Sequence, residues 1–108
     1  MSILTRSLLL SFSILFCSAL MAQNIPHPTY LPKEGFVPDE ETAISIALAV
    51  WKPIYGSAAI ARQAPYTAKL QDGEWFVTGT LPVGVLGGTA VAVISKRDGT
   101  ILQVFHSK

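Results

Sequence analysis

The chain has 108 residues, a formal net charge of +1, one cysteine and 14% charged side chains. That length holds one domain. Near-neutral charge excludes the broad basic footprint of a nucleic-acid binder, and a single cysteine excludes an internal disulfide framework.

Residues 1–22 carry one charged side chain, Arg6, and read as a secretory signal peptide. Arg6 and the amino terminus supply the positive start. Leu8, Leu9, Leu10, Phe12, Ile14, Leu15 and Phe16 form the apolar middle, and Ser18, Ala19 and Ala22 the small-residue end. Cleavage is expected after Ala22, with Ala19 as the alternative because Leu20 stands where a small residue is favoured. The uncharged run 7–23 sits at the short limit for a membrane span, and no positive cluster follows it. The expected product is therefore periplasmic, with no stable membrane anchor after cleavage. Phe16 is too bulky for the lipobox that Cys17 would otherwise suggest. Removing 22 of 108 residues leaves 86, with seven basic and seven acidic side chains and no cysteine. A domain of that size must be stabilised by one modest packed core.

Residues 23–37 form an extended, Pro-rich arm. Pro26, Pro28 and Pro32 lack backbone donors and bias their predecessors to extended geometry. The arm is expected to be loosely attached, docking through Tyr30, Leu31 and Phe36. A domain over 38–108 follows. Pro38, Asp39, Glu40 and Glu41 mark a helix start, since acids in the first turn complement the positive end of the helix dipole. Ala43, Ile46, Ala47, Val50 and Trp51 then recur at helical spacing on one face, and Ile44 and Leu48 widen the stripe. Pro53 predicts an end or kink at Lys52, with a short continuation capped by Gly56 and one further turn over 57–61.

Beyond Gln63 the period changes to two. Strands are predicted over 65–70 and 74–81, joined by Asp72-Gly73, whose glycine supplies the positive φ of a tight hairpin. Residues 82–88 form a Gly-rich connection. A third strand over 89–95 and a fourth over 100–106 flank Arg97-Asp98-Gly99. The chain order is one main helix and then a four-stranded antiparallel meander, an α+β arrangement with the helix across one sheet face. Tyr66, Ala68 and Leu70 share one face of the first strand. Trp75 and Val77 share one face of the second and are expected beneath the helix.

Several strings carry a resemblance: Pro65-Tyr66-Thr67-Ala68, Asp72-Gly73-Glu74-Trp75-Phe76-Val77-Thr78-Gly79-Thr80-Leu81-Pro82, Gly87-Gly88, Ile94-Ser95-Lys96, Asp98-Gly99 and Val104-Phe105-His106. Upstream, Trp51 and Ile54-Tyr55-Gly56 close the helix. Together they resemble the NTF2-fold immunity proteins of bacterial polymorphic toxin systems, over about 37–108. The resemblance implies a cystatin/NTF2-like α+β domain that binds and neutralises a cognate toxin. It supplies no toxin-contact motif to carry over residue by residue, and the chain is shorter than a full NTF2 cone.

Catalytic chemistry is poorly supplied. His27 and His106 stand apart, with none of the compact His, Cys and carboxylate spacing of a zinc site, so neither metal nor cofactor is expected. Asp39, Glu40 and Glu41 have a helix-start role, and Asp72 and Asp98 a turn role. No nucleophile elbow is present, and residues 84–88 lack the Gly-Lys-Ser/Thr ending of a phosphate loop. The chain is therefore read as a binder without catalysis. Its partner surface is expected on the sheet face bearing Phe76, Thr78 and Thr80, together with the loop residues Gly84, Val85, Gly87 and Gly88, because exposed aromatics and loops on rigid scaffolds make partner anchors. The alternative is a small periplasmic PepSY-like or ligand-binding domain. An enzyme of the same fold would need an acid–base pair, for which no convincing candidates stand out.

Overall fold

The computed structural model describes residues 27–108, and the expected signal peptide and the start of the arm lie outside them. Leu31–Lys108 forms one compact unit, and the contacts below are within it. Its elements run α1 (Glu40–Tyr55), α2 (Ser57–Ala61), β1 (Thr67–Gln71), β2 (Glu74–Thr78), β3 (Ala90–Ser95) and β4 (Ile101–His106).

Helix α1 starts where the acids predict. Asp39 is the N-cap: its Oδ1 accepts from the Thr42 backbone N–H at 2.8 Å and from the Thr42 hydroxyl at 2.6 Å. These bonds hold the exposed Asp39 carboxyl below its usual pKa, the hydroxyl contact contributing most. Glu40 and Glu41 lie in the first turn and Lys52 in the last. The helix does not end at Lys52 but runs through Pro53 to Tyr55, the expected continuation up to the Gly56 cap being part of the same helix. A proline ring removes one i to i−4 bond, here at the exposed Ala49 carbonyl, where water can replace it. Gly56, at φ 92°, then ends the helix, its N–H bonding to the Lys52 carbonyl at 2.9 Å.

The four strands form a meander in the order β1-β2-β3-β4. Asp72 and Gly73, at φ 51° and 76°, make the two-residue turn that sets the β1–β2 register, with Leu70 opposite Trp75 and Ala68 opposite Val77. Strand β2 ends at Thr78, three residues short of the expected end. Ala43, Ala47 and Trp51 of α1 and Ile60 of α2 bury against Ala68, Trp75, Val77, Ala90, Ala92 and Ile94. The small residues matter: alanines on α1 and on the sheet let helix and strands approach closely around two tryptophans. Tyr66 closes one end of this core, its hydroxyl donating to the Ile60 carbonyl at 2.8 Å and its ring lying 6.2 Å from that of Trp51.

The end of the arm is part of this unit. Val37 is fully buried, and the Phe36 and Val37 N–H groups donate to the Arg97 and Lys96 carbonyls at 2.9 and 3.0 Å. Trp75 Nε1 donates to the Val37 carbonyl at 2.8 Å. Lys96 Nζ bonds the Glu34 carbonyl and lies 3.5 Å from its carboxylate. The attachment therefore runs through backbone and Val37; Leu31 and Phe36 keep exposed side chains, and Tyr30 lies outside the compact unit.

Candidate functional site

The face of the sheet opposite α1 follows from the register. Ala90, Ala92 and Ile94 enter the core under the helix, so Val91 and Val93 point the other way. Phe76 stands opposite Val93, Thr78 opposite Val91, and Phe105 opposite Val91 on the far side. Lys69 and Thr67 of β1 and Gln103 of β4 complete the face. Its centre is apolar: Val91 and Val93 are buried, Phe76 is half-buried and Phe105 is 44% exposed. Among the described residues no helix packs on this side. The two phenylalanines, each in register with a buried valine, keep accessible surface.

The threonines behave differently from Phe76. The Thr78 hydroxyl is paired with that of Thr67 at 2.9 Å across β1 and β2. Thr80 lies beyond the strand, so it leaves the alternation that links Phe76 and Thr78. Its N–H donates to the Gln63 carbonyl at 2.6 Å and its hydroxyl to the Pro65 carbonyl at 2.5 Å. Thr80 is a latch at the foot of the loop, with its polar groups turned to the scaffold.

The loop between β2 and β3 rises from a fixed base. Gln63 accepts from Thr80 N–H on the incoming side, and its Oε1 accepts from Ala90 N–H at 2.8 Å on the outgoing side. Ser107 bonds Thr89 through both its N–H, at 2.8 Å, and its hydroxyl. Gly88 lies against the Ser107 carbonyl so closely that a Cβ there would overlap it. Above this base, Val83 and Leu86 are almost wholly exposed and Val85 is half-exposed. Gly84, at φ 80°, and Gly87, at φ 117°, make the bends between them. A depression of about 330 Å³ under the loop is lined by Val85, Leu86, Arg62, Gln63 and His106 among others. The His106 ring lies 5.7 Å from that of Tyr55, edge to face.

Of the residues expected at the interface, Phe76 and Thr78 share the uncovered face. Val85, Gly87 and Gly88 line the depression, and Thr80 and Gly88 belong to the anchoring base. Sequence reasoning missed Val91, Val93 and Phe105 on the face and Val83 and Leu86 at the tip. A second depression, of about 460 Å³, lies at the opposite end of the sheet between the arm and the Gly73 and Arg97 turns. Lys96 there is already paired with Glu34, which makes it part of the arm's clamp. Among the described residues no group of three His, Cys, Asp or Glu side chains converges as a metal site, and no helix is long and apolar enough to cross a membrane.

Comparison with known proteins agrees with this architecture. No solved structure matches the chain. It is 31% identical to the uncharacterized protein YbbC of Escherichia coli strain K12, over a 114-position alignment that covers 93% of each chain. A family model described as NTF2 fold immunity protein matches residues 42–108, which contain most of α1, the whole sheet and the β2–β3 loop. A helix packed on an antiparallel meander is the α+β layout expected of that fold, and the chain belongs to the NTF2 fold immunity protein family.

Proposed function

We propose that the chain is an exported immunity protein that neutralises a cognate toxin by occluding it, without catalysis. The observation that carries this reading is the uncovered sheet face, where Phe76 stands beside Val93 and Phe105 beside Val91 with no helix on that side among the described residues. An aromatic patch of this kind, rimmed by Lys69, Thr67 and Gln103, has the apolar centre and polar border of a reversible protein interface. The exposed Val83 and Leu86 extend the contact area beyond the sheet. Family membership supports a toxin as the partner. The signal-peptide pattern of residues 1–22 supports action in the periplasm, against a toxin that attacks the envelope.

Neutralisation in this reading is stoichiometric. The sheet is a rigid platform, so partner binding needs little ordering of the backbone, which favours affinity. The test is Phe76→Ala and Phe105→Ala, assayed in parallel for melting temperature and for protection against the cognate toxin, sought by pull-down with the wild-type protein. Truncating a central interface aromatic costs about 2 kcal/mol or more, roughly thirtyfold in affinity. Loss of protection with melting retained is the expected result. Full protection and unchanged toxin affinity in both folded variants would remove this face from the mechanism.

A further inference from the structure

We propose that the β2–β3 loop is a lipid-docking tip: Val83, Val85 and Leu86 enter the interfacial layer of an anionic bilayer while Arg62 and Lys52 meet its headgroups. Residues 81–88, Leu-Pro-Val-Gly-Val-Leu-Gly-Gly, hold no charged or hydrogen-bonding side chain. Val83 and Leu86 project almost wholly into solvent, and Val85 is 50% exposed. Loop tips in water usually carry small or polar residues, and apolar surface gathered at one exposed place marks an interaction site. The backbone suits shallow entry into lipid. Pro82 has no N–H to satisfy, and the Val85 N–H is already bonded to the Pro82 carbonyl at 3.1 Å.

The charges are sorted along the strands. All seven acidic side chains lie at the end remote from this loop. Asp72 and Glu74 belong to the β1–β2 turn and its exit, and Asp98 to the β3–β4 turn. Glu34 is clamped to Lys96, and Asp39, Glu40 and Glu41 open α1 just after Val37, which bonds the Lys96 carbonyl. Lys33, Lys96 and Arg97 share that end, so seven acids against three bases leave it four charges negative. At the loop end stand the exposed Lys52, in the last turn of α1, and the exposed Arg62, which lines the depression beneath Val85 and Leu86. Lys108 lies there too, offset by the carboxylate it carries. A charge distribution of this kind turns the loop toward an anionic surface and the acids away from it.

An apolar projection collared by cations is the complement of a bilayer, whose apolar interior lies beneath an anionic skin. A protein partner would have to offer separate hollows to two fully projecting side chains. With the loop seated in lipid the strands run away from the membrane, so the sheet face bearing Phe76 and Phe105 is turned sideways and stays open. The docking is reversible, because three side chains reach only the headgroup boundary. A tip seated in lipid is withdrawn from soluble partners, so its protein contacts belong to the undocked chain. Lipid docking does not depend on the sheet face meeting a toxin.

Flotation of the chain, as purified from its host, with vesicles of equimolar phosphatidylglycerol and phosphatidylcholine is the test, and it contains no protein partner. Binding should exceed that to pure phosphatidylcholine by roughly tenfold or more, at about fivefold for each cation near the surface, and should fall as salt is raised. Val83→Ser with Leu86→Ser should weaken binding by about tenfold or more at unchanged melting temperature, since both side chains are exposed. Arg62→Gln with Lys52→Gln should lower binding to the phosphatidylcholine level, whereas Arg97→Gln at the acidic end should leave it unchanged. Leu86→Trp reads insertion directly: its indole emission should shift to the blue on the anionic vesicles, while Trp51 and Trp75 stay buried in the core. A wild-type chain that ignores anionic vesicles would overturn the proposal and leave the tip to a protein partner. Binding indifferent to the paired serine variant would overturn it as well, by placing the lipid contact elsewhere on the chain. If the serine pair does not fold, Leu86→Trp decides: a blue shift supports insertion of the tip, and its absence refutes it.

Discussion

Replacing Trp75 with Phe separates packing from anchoring, because the Trp75 indole does both. It is 6% exposed within the core and its Nε1 donates to the Val37 carbonyl at 2.8 Å. Phe keeps an aromatic ring but leaves a void of roughly 40 Å³, worth about 1 kcal/mol at about 24 cal/mol per Å³. It also leaves a buried carbonyl without its donor, a loss of about 1–3 kcal/mol. The sum is about 2–4 kcal/mol, against a total of about 4–12 kcal/mol for a unit of this size. The expected fall in Tm is roughly 10–25 °C. Trp51→Phe is the internal control: Trp51 is fully buried, but its Nε1 has no hydrogen-bond partner among the described residues. That substitution should cost only the packing part, about 1 kcal/mol. Urea denaturation of both variants measures the difference. Amide exchange at Phe36 and Val37, whose N–H groups bond Arg97 and Lys96, shows whether the arm loosens in Trp75→Phe alone. Equal costs for the two variants, or unchanged protection at Val37, would refute the idea that the Trp75 indole ties the arm to the sheet.

Leu86→Ser should leave urea stability within about 0.5 kcal/mol of wild type, because the side chain is 97% exposed, yet weaken toxin binding in a titration. Gly88→Ala should destabilise the base of the loop, since its Cβ overlaps the Ser107 carbonyl, and exchange at the Ser107 amide should speed up. Stability should fall in acid partly through Asp39 and Asp98. Asp98 is held below its usual pKa by its bonds to Thr100 first and then to Ser95, and Asp39 by Thr42. A carboxyl depressed in the folded state favours folding above its unfolded pKa of about 3.9, and that contribution is lost as pH falls through the folded value. Asp39→Asn with Asp98→Asn should therefore flatten the pH dependence of Tm below about pH 4.

The main elements were legible because local chemistry agreed with the final fold. The 3.6-residue recurrence of Ala43, Ala47 and Trp51 marked the buried side of α1, and Asp72-Gly73 marked the first hairpin. Trp75 and Val77 alternate with Phe76, which identified the two faces of β2. What escaped was decided over long sequence separations. Residues 90–94 are all apolar, so no alternation divides them; only pairing with β2 and β4 sends Val91 and Val93 to the uncovered side. The Trp75–Val37 bond spans 38 positions and turned the end of a Pro-rich arm into core. Thr80 looked like a continuation of β2, but Gln63, a residue with no local signature, holds it out of the strand.

The double hold of Gln63 has an evolutionary consequence. Its carbonyl fixes the chain as it leaves the sheet at Thr80, and its side-chain oxygen fixes the chain as it re-enters at Ala90. The scaffold therefore closes beneath the loop, and folding of the sheet asks nothing of Val83, Val85 or Leu86. Length and sequence above the closure are free to drift while the platform stays the same. An arms race with a changing partner could be run in those few exposed residues, with each new tip presented on an unaltered stem.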